Sequence, residues 1–482
     1  MTRPRASVSL ALSLAVALGA CAASTNSSGG GGGDGGRSGD SNAASGGRGG
    51  SGSTSSGGNS GGSASGGKTG GNGSGVSSGG TGTGGSNPGS GGSGNGGDEP
   101  PGSGGSAGTA TGGSAGGGTS DGGAATGGSS GGNSSQVGTA VYPYDKCNWG
   151  PPVFTKLPVA TAPPGGLALE NVPQLISFGF DDNAHEDGMQ WFLDFIKSKV
   201  NPAGSGNPCT FDGTAARVSF FDNSHVDMHT EAMAALHARA FREGHETGNH
   251  TDTHADTLQQ NPDKAVWTKE MVTCNDYLVG LGIPRDRIVG FRTPFLQQSE
   301  ATFQAIVEQK FRYDCSIEHY YGTAGFVWPY TLDTGKAPMN TYLSFPHGSY
   351  AGLWEMPVSE FMIATTGYTS VTGLDFNMWI SKRMSRKEVV DTLKANLEIR
   401  MKGGNAPANR APFFIGGHTD LYSNNNADAN AAAAASVADR RAAIEEFITY
   451  ALAYHPAVRL VPHAEILHWM QSPVGLDGAK GK

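Results

Sequence analysis

The chain has no surplus of positive charge. Its 482 residues carry 33 Lys and Arg against 42 Asp and Glu, a formal net charge of -9. No basic field is available to hold the phosphates of DNA or RNA, and a nucleic-acid partner is excluded. None of its five cysteines is paired at CxxC spacing, which removes zinc knuckles and thioredoxin-type redox sites. No apolar run is long enough to cross a bilayer: "SVSLALSLAVALGA", residues 7–20, falls short of the roughly 20 residues a spanning helix needs. From residue 22 to 138 there is little besides Gly, Ser, Thr and Asn, so this tract cannot bury enough apolar surface to fold.

What stands before that tract reads as an export signal. Arg3 and Arg5 precede the short apolar run, which ends in "LGAC" at Cys21. The tetrapeptide resembles the lipobox of bacterial lipoproteins, whose cysteine becomes the lipid-modified first residue of the mature chain. Residues 1–20 are then a lipoprotein signal peptide and residues 21–138 a lipidated cysteine with a disordered tether. The expected location is the bacterial cell envelope, and Ala22 after the cysteine points to the outer membrane or cell surface. A Gly-rich coil of this length reaches roughly 55 to 65 Å. Four cysteines remain, Cys147, Cys209, Cys274 and Cys315. In an exported domain they allow up to two disulfides in any of three pairings, and the sequence does not choose among them.

Residues 139–482 have a globular composition and read as one domain, expected to be a monomeric head. Short apolar runs alternate with helical ones. "PQLISFGF" (173–180), "ARVSFFD" (216–222), "RIVGF" (287–291) and "RAPFFIGGH" (410–418) read as strands. "GMQWFLDFIKSKV" (188–200), "EAMAALHARAFREG" (231–244), "SEATFQAIVEQK" (299–310) and "RAAIEEFITYALAY" (441–454) read as helices, and "VRLVPHAEILHWM" (458–470) as a strand and a short helix. The alternation predicts parallel βα units curled into a distorted barrel, with chemistry where strands end and loops begin. The aromatic-rich stretch 321–358 reads as a long loop insertion walling a cleft.

Two constellations carry chemistry. "GFDDN" ends the first strand with adjacent carboxylates, Asp181 and Asp182, which repel unless something positive answers them. "HETGNHTDTH" offers His250 and His254 four residues apart. On a helix or its first turn, that spacing places both rings on one face about 6 Å apart, close enough to share a metal. His245 reads as structural. Two imidazoles and one carboxylate make a three-ligand open site, and the spare aspartate has the character of a general base.

These motifs, with "RTPF" (292–295) and "FFIGGH" (413–418), resemble the polysaccharide deacetylases of the NodB-homology type, carbohydrate esterase family 4. They occur in the family's order over residues 173–470. "WPYTLD", "GLWEMP" and "NRAPFFIGGH" are similar to its chitin-deacetylase branch. The resemblance implies Asp181 as base and Asp182, His250 and His254 as metal ligands. Arg292 would pair with the base, and His418 would be the general acid. Phe295 would line the groove and lend a backbone N–H to the oxyanion. Trp354 is the candidate groove tryptophan, and Asp375 or Glu360 the carboxylate that orients His418. Asn183 stands where the family usually has glycine, Phe295 where it has tyrosine, and Gly416 where leucine is common. Asp212, in the look-alike "TFDG", has a single carboxylate and precedes a strand, so it is rejected as catalytic.

The implied function is hydrolysis of N-acetyl groups from an N-acetylglucosamine polymer such as chitin, releasing acetate. The implied cofactor is a divalent ion, zinc first, with cobalt or another ion as alternatives. Two other functions stay open: an O-acetyl esterase on glycans such as xylan, and an inactive glycan-binding surface lipoprotein.

Overall fold

The computed structural model describes residues 146–225, 230–255, 263–319, 325–333, 348–363, 370–404 and 406–482. The expected signal peptide, Cys21 and tether over residues 1–138 lie outside the described residues.

The run "QLISFGFDD" forms strand β1 (Gln174–Asp182), which leads into helix α1 (Glu186–Ile196). Successive side chains of a strand take opposite faces. Ile176, Phe178 and Phe180 enter one core with Phe192 and Leu193 of α1, whereas Leu175 enters a second. The two phenylalanines are fully buried, each contributing about 1.5 to 3 kcal/mol. Ser177, Gly179 and Asp181 share the face of Leu175, which is the barrel interior, and their small or polar side chains leave room there for Arg292 and His463.

The remaining elements follow in order. They are β2 (Ser219–Asp222), α2 (Glu231–Arg242), β3 (Glu246–Asn249), α3 (Lys264–Gly280), β4 (Gly290–Phe291), α4 (Glu300–Glu308), β5 (Tyr313–Asp314) and β6 (Glu318–His319). Then come β7 (Tyr330–Thr331), β8 (Trp354–Glu355), β9 (Val358–Met362), β10 (Ser370–Thr372), a π-helical turn (Phe376–Ser381), α5 (Arg386–Lys402) and β11 (Phe413–His418). The chain ends with α6 (Ala427–Ala432), α7 (Val437–Tyr454), β12 (Val458–Leu460) and α8 (His463–Gln471).

The main sheet runs β11-β1-β2-β3-β4-β5-β8-β7, with β12 also paired to β1. Every pair in it is parallel except β7 with β8. A small sheet, β10-β9-β6, lies against β11 through β9. The curl is therefore filled without a continuous hydrogen-bonded ring, which is the distorted (β/α) barrel that the alternation predicted.

Differences from expectation have local causes. The strand β3 was hidden because "ETGN" is polar; its Glu246 faces the interior and is satisfied there by Ser219 and Tyr313. The stretch 321–358 is no cleft wall where it is described. It supplies β7 and β8, and Trp328, Tyr330 and Trp354 are buried in the core; residues 321–324 and 334–347 lie outside the described residues. One disulfide is present, Cys147–Cys209, while Cys274 and Cys315 are buried free thiols. Asp212 is structural, ion-paired with Arg459 at 2.6 Å inside the fold.

Candidate metal centre and active site

Parallel pairing brings the reactive residues to one rim. Asp181 is opposite His418, Asp182 opposite Asp222, Asp222 opposite Asn249, and Asn249 opposite Phe291. His250 and Arg292 each follow their rim residue by one position. Chain segments far apart in sequence thus deliver their side chains at the C-terminal ends of adjacent strands, where such folds place chemistry.

The strand β1 ends in two left-handed residues, Asp182 with φ +63° and Asn183 with φ +56°. Asparagine is among the few residues other than glycine that visit this region readily, so it replaces the family's glycine without loss of the turn. Asn183 is fully buried and locked: its side-chain amide donates to the Phe180 carbonyl at 3.0 Å and to Asp222 Oδ1 at 2.9 Å. Its Oδ1 accepts from Thr419 Oγ1 at 2.9 Å. Asp420 receives the next two backbone N–H groups, of Ala184 and His185, at 2.9 and 2.7 Å.

Asp182 Oδ1 lies 3.6 Å from His250 Nε2 and 3.5 Å from His254 Nε2. One ligand atom from each of the three falls within 4.8 Å of the others. Asn223 Nδ2 donates to the same Asp182 oxygen at 3.0 Å and fixes its direction. Burial works to raise the Asp182 pKa, but His254, His418 and His250 outweigh it and hold the carboxyl below its usual range. His250 donates Nδ1–H to the Arg292 carbonyl at 2.9 Å, and burial pushes its pKa down to about 4. It therefore presents a neutral Nε2 lone pair to the centre. A carboxylate and two imidazoles with mutually facing donor atoms, one ring pinned from behind, fit a divalent ion of the zinc type with an open coordination position.

The histidines do not share a helix face. His250 directly follows β3, and His254 sits in a loop with φ +48° after Thr251 with φ +71°. Glu270 of α3 holds that loop, accepting the backbone N–H groups of Asp252 and Thr253 at 3.1 and 2.8 Å and the Thr253 hydroxyl at 3.0 Å. Nothing in the local sequence marked Glu270, because its role arises only when α3 packs beside β3.

On one side of this centre stands Asp181, 2.7 Å from Arg292 Nη1. Burial alone would lower the Arg292 pKa, but the Asp181 carboxylate outweighs it and keeps the guanidinium firmly charged. In register with Asp181, His418 meets Asp375: Nδ1 lies 2.9 Å from Oδ1, and the His418 backbone N–H donates to Oδ2 at 2.5 Å. Burial opposes the imidazolium, yet Asp375, with Asp182 and Asp181, raises the His418 pKa to about 10. Asp375 is thus the carboxylate that orients His418, and Glu360 instead lies in β9 in register with Thr372.

Residues 214–313 match the family model described as Polysaccharide deacetylase. The chain carries a polysaccharide deacetylase domain. It is 24% identical over 322 residues to chitin deacetylase 8 of Bombyx mori, covering 65% of this chain and 74% of that protein. It is 27% identical over 214 residues to chitin deacetylase 1 of the same organism, covering 42% of this chain and 35% of that one. Among solved structures, the chitin deacetylase of the fungal pathogen Colletotrichum lindemuthianum aligns at 10% identity with a TM-score of 0.34, over 63% of this chain and 92% of that one.

Two remaining residues separate in this deacetylase domain. Phe295 is half exposed, has φ +56°, and packs on the His254 ring with centroids 4.6 Å apart. Trp354 is not at the groove. It sits in β8, between β5 and β7, with its side chain buried in the core at 1% exposure. It packs among the apolar core residues, which corrects the groove assignment.

Proposed function

We propose that this polysaccharide deacetylase removes N-acetyl groups from an N-acetylglucosamine polymer of the chitin type by divalent-metal-dependent hydrolysis. The observation that carries the reading is the placement, beside the Asp182–His250–His254 centre, of an arginine-held carboxylate, Asp181, and a carboxylate-held imidazolium, His418. When bound at the three ligands, a divalent ion supplies Lewis acidity and a water of lowered pKa.

The chain's own groups do the rest. Asp181, fixed by Arg292, accepts a proton from the attacking water at its free carboxylate oxygen. The backbone N–H of Phe295 is the proposed donor to the developing oxyanion, a contribution of about 3 to 4 kcal/mol for a well-placed donor. His418, kept charged by Asp375, donates its Nε2 proton to the departing amine. The exposed Phe295 ring offers a sugar face a place to stack beside His254.

Metal analysis of the purified protein, combined with acetate release from chitooligosaccharides, peptidoglycan fragments and acetylxylan, tests this. Stoichiometric metal and release from chitooligosaccharides are expected. Release from acetylxylan alone would make the enzyme an ester hydrolase, and bound metal with no release from any of them would make it a binder.

We also propose export and lipid anchoring through Cys21. The "LGAC" context supports this, as does the Cys147–Cys209 disulfide, a bond characteristic of oxidising compartments. Cys21→Ser should release the protein from membranes, and persistent membrane association would refute the anchor.

A further inference from the structure

Beneath Asp181, inside the barrel, lies a polar cluster that the proposed mechanism leaves unused. His463, the first residue of α8, is completely buried. Phe414, Phe221 and Tyr313 surround its ring at centroid distances of 4.8, 5.5 and 6.1 Å. An aliphatic side chain would fill such a volume without the cost of burying an imidazole. The ring is tied to polar atoms at both nitrogens: Nδ1 is 2.8 Å from Ser177 Oγ and 3.0 Å from Ser219 Oγ, and Nε2 is 3.5 Å from Arg292 Nη2.

The direction of each hydrogen follows from its partner. A guanidinium has donors only, so His463 Nε2 must carry the lone pair and Nδ1 the proton. Ser219 is left to accept from Nδ1, because its own hydroxyl donates to Glu246 Oε2 at 2.7 Å. Glu246 also accepts from Tyr313 Oη at 2.7 Å and from the Ala464 backbone at 2.9 Å. Burial, and then the neighbouring guanidinium, push the His463 pKa far down, so the ring is neutral. Three of the other four guanidinium N–H groups are already placed: Nε on the Cys315 carbonyl at 3.0 Å, Nη1 on Gly179 at 3.1 Å and on Asp181 at 2.7 Å.

We propose that His463 is a positioning residue for the base: a neutral, Nδ1-protonated imidazole that accepts from Arg292 and holds its guanidinium against Asp181. The unbroken path Glu246, Ser219, His463, Arg292, Asp181 makes the floor of the barrel part of the active-site support. This rests on the reading of Asp181 as base.

Two measurements on the full chain test it. Long-range 15N–1H spectra of histidine-labelled protein, with the His463 signal assigned by its loss in H463Q, should show a neutral ring protonated at Nδ1. A ring protonated at Nε2 overturns the proposal whatever the activity. In kinetics, H463N keeps a donor toward the serines but presents nothing to Arg292, whereas H463Q places an acceptor where Nε2 stood. H463N should lower kcat about 10- to 100-fold, with KM and metal content near wild type, and H463Q should recover most of that loss. Equal kcat in the two variants, or a loss expressed in KM or metal content, overturns it. If the wild type itself releases no acetate, the deacetylase reading falls, while the tautomer spectrum still decides the role of His463.

Discussion

Asp181 and His418 stand opposite each other in the register of β1 and β11, and the proposed ligand Asp182 comes beside them because its backbone turns left-handed at φ +63°. Continued as a strand, β1 would point Asp182 to the face of Phe180 and into the apolar core. The turn instead sends neighbouring carboxylates to different tasks in one site, one against a guanidinium and one against two imidazoles.

That division predicts separable losses. Asp182→Asn and His254→Ala should lose metal as measured by elemental analysis. Asp181→Asn should retain it while kcat falls about 100- to 10,000-fold, the range for a general base. Near-full turnover in Asp181→Asn would show that another group takes the proton.

Gly179 is required by close approach. A Cβ there would lie 2.8 Å from Arg292 Nη2 and 2.9 Å from Nη1. Gly179→Ala is expected to displace the guanidinium and cut kcat about 10- to 100-fold with metal content unchanged, measured by steady-state kinetics alongside elemental analysis.

The Asp375–His418 couple sets an alkaline limit. With its pKa raised to about 10, His418 is charged and able to donate below that pH and loses the proton above it. Activity should therefore persist through neutral pH and fall on the alkaline side. Asp375→Asn removes the main charge supporting the imidazolium and should move the falling limb down by about 1 to 3 pH units. An unmoved limb in the kcat/KM profile would assign the acid elsewhere.

Asp212 should matter to stability and not to chemistry. Its buried pair with Arg459 predicts that Asp212→Ala costs about 3 to 5 kcal/mol in denaturant unfolding by leaving a buried cation unmatched. Turnover per folded molecule should be unaffected. Burial works to raise the Asp212 pKa, but Arg459 and Thr210 outweigh it and hold the pKa low. The pair's contribution is thus present above the unfolded value near 3.9 and is lost as pH falls through the lower folded value. The unfolding free energies of wild type and Asp212→Ala should therefore differ at neutral pH and converge as the pH falls below that value.

Strong apolar periods placed β1, β2, β4, β11 and β12 and the helices α1, α2, α4, α7 and α8 within a few residues, because amphipathic runs declare their buried face. The helices α3, α5 and α6 and the other short strands went unread. The proximity of Asp182, His250 and His254 was legible because they belong to short motifs at or just after strand ends. Supports drawn from remote elements were not: Glu270, Asp420 and His463 act through packing that no local spacing encodes. Polar β3 was missed because its inward face meets other polar groups. Trp354 was misplaced because the size and aromaticity that suit a sugar subsite suit a core equally well, and only strand pairing distinguishes them.

The Cys147–Cys209 bond ties the start of the described chain to the connection that enters β2, at the end of the strands away from the rim. Among the described residues the covalent brace thus sits at the end of the sheet opposite Asp181 and Asp182, and the rim residues are held by hydrogen bonds and ion pairs alone.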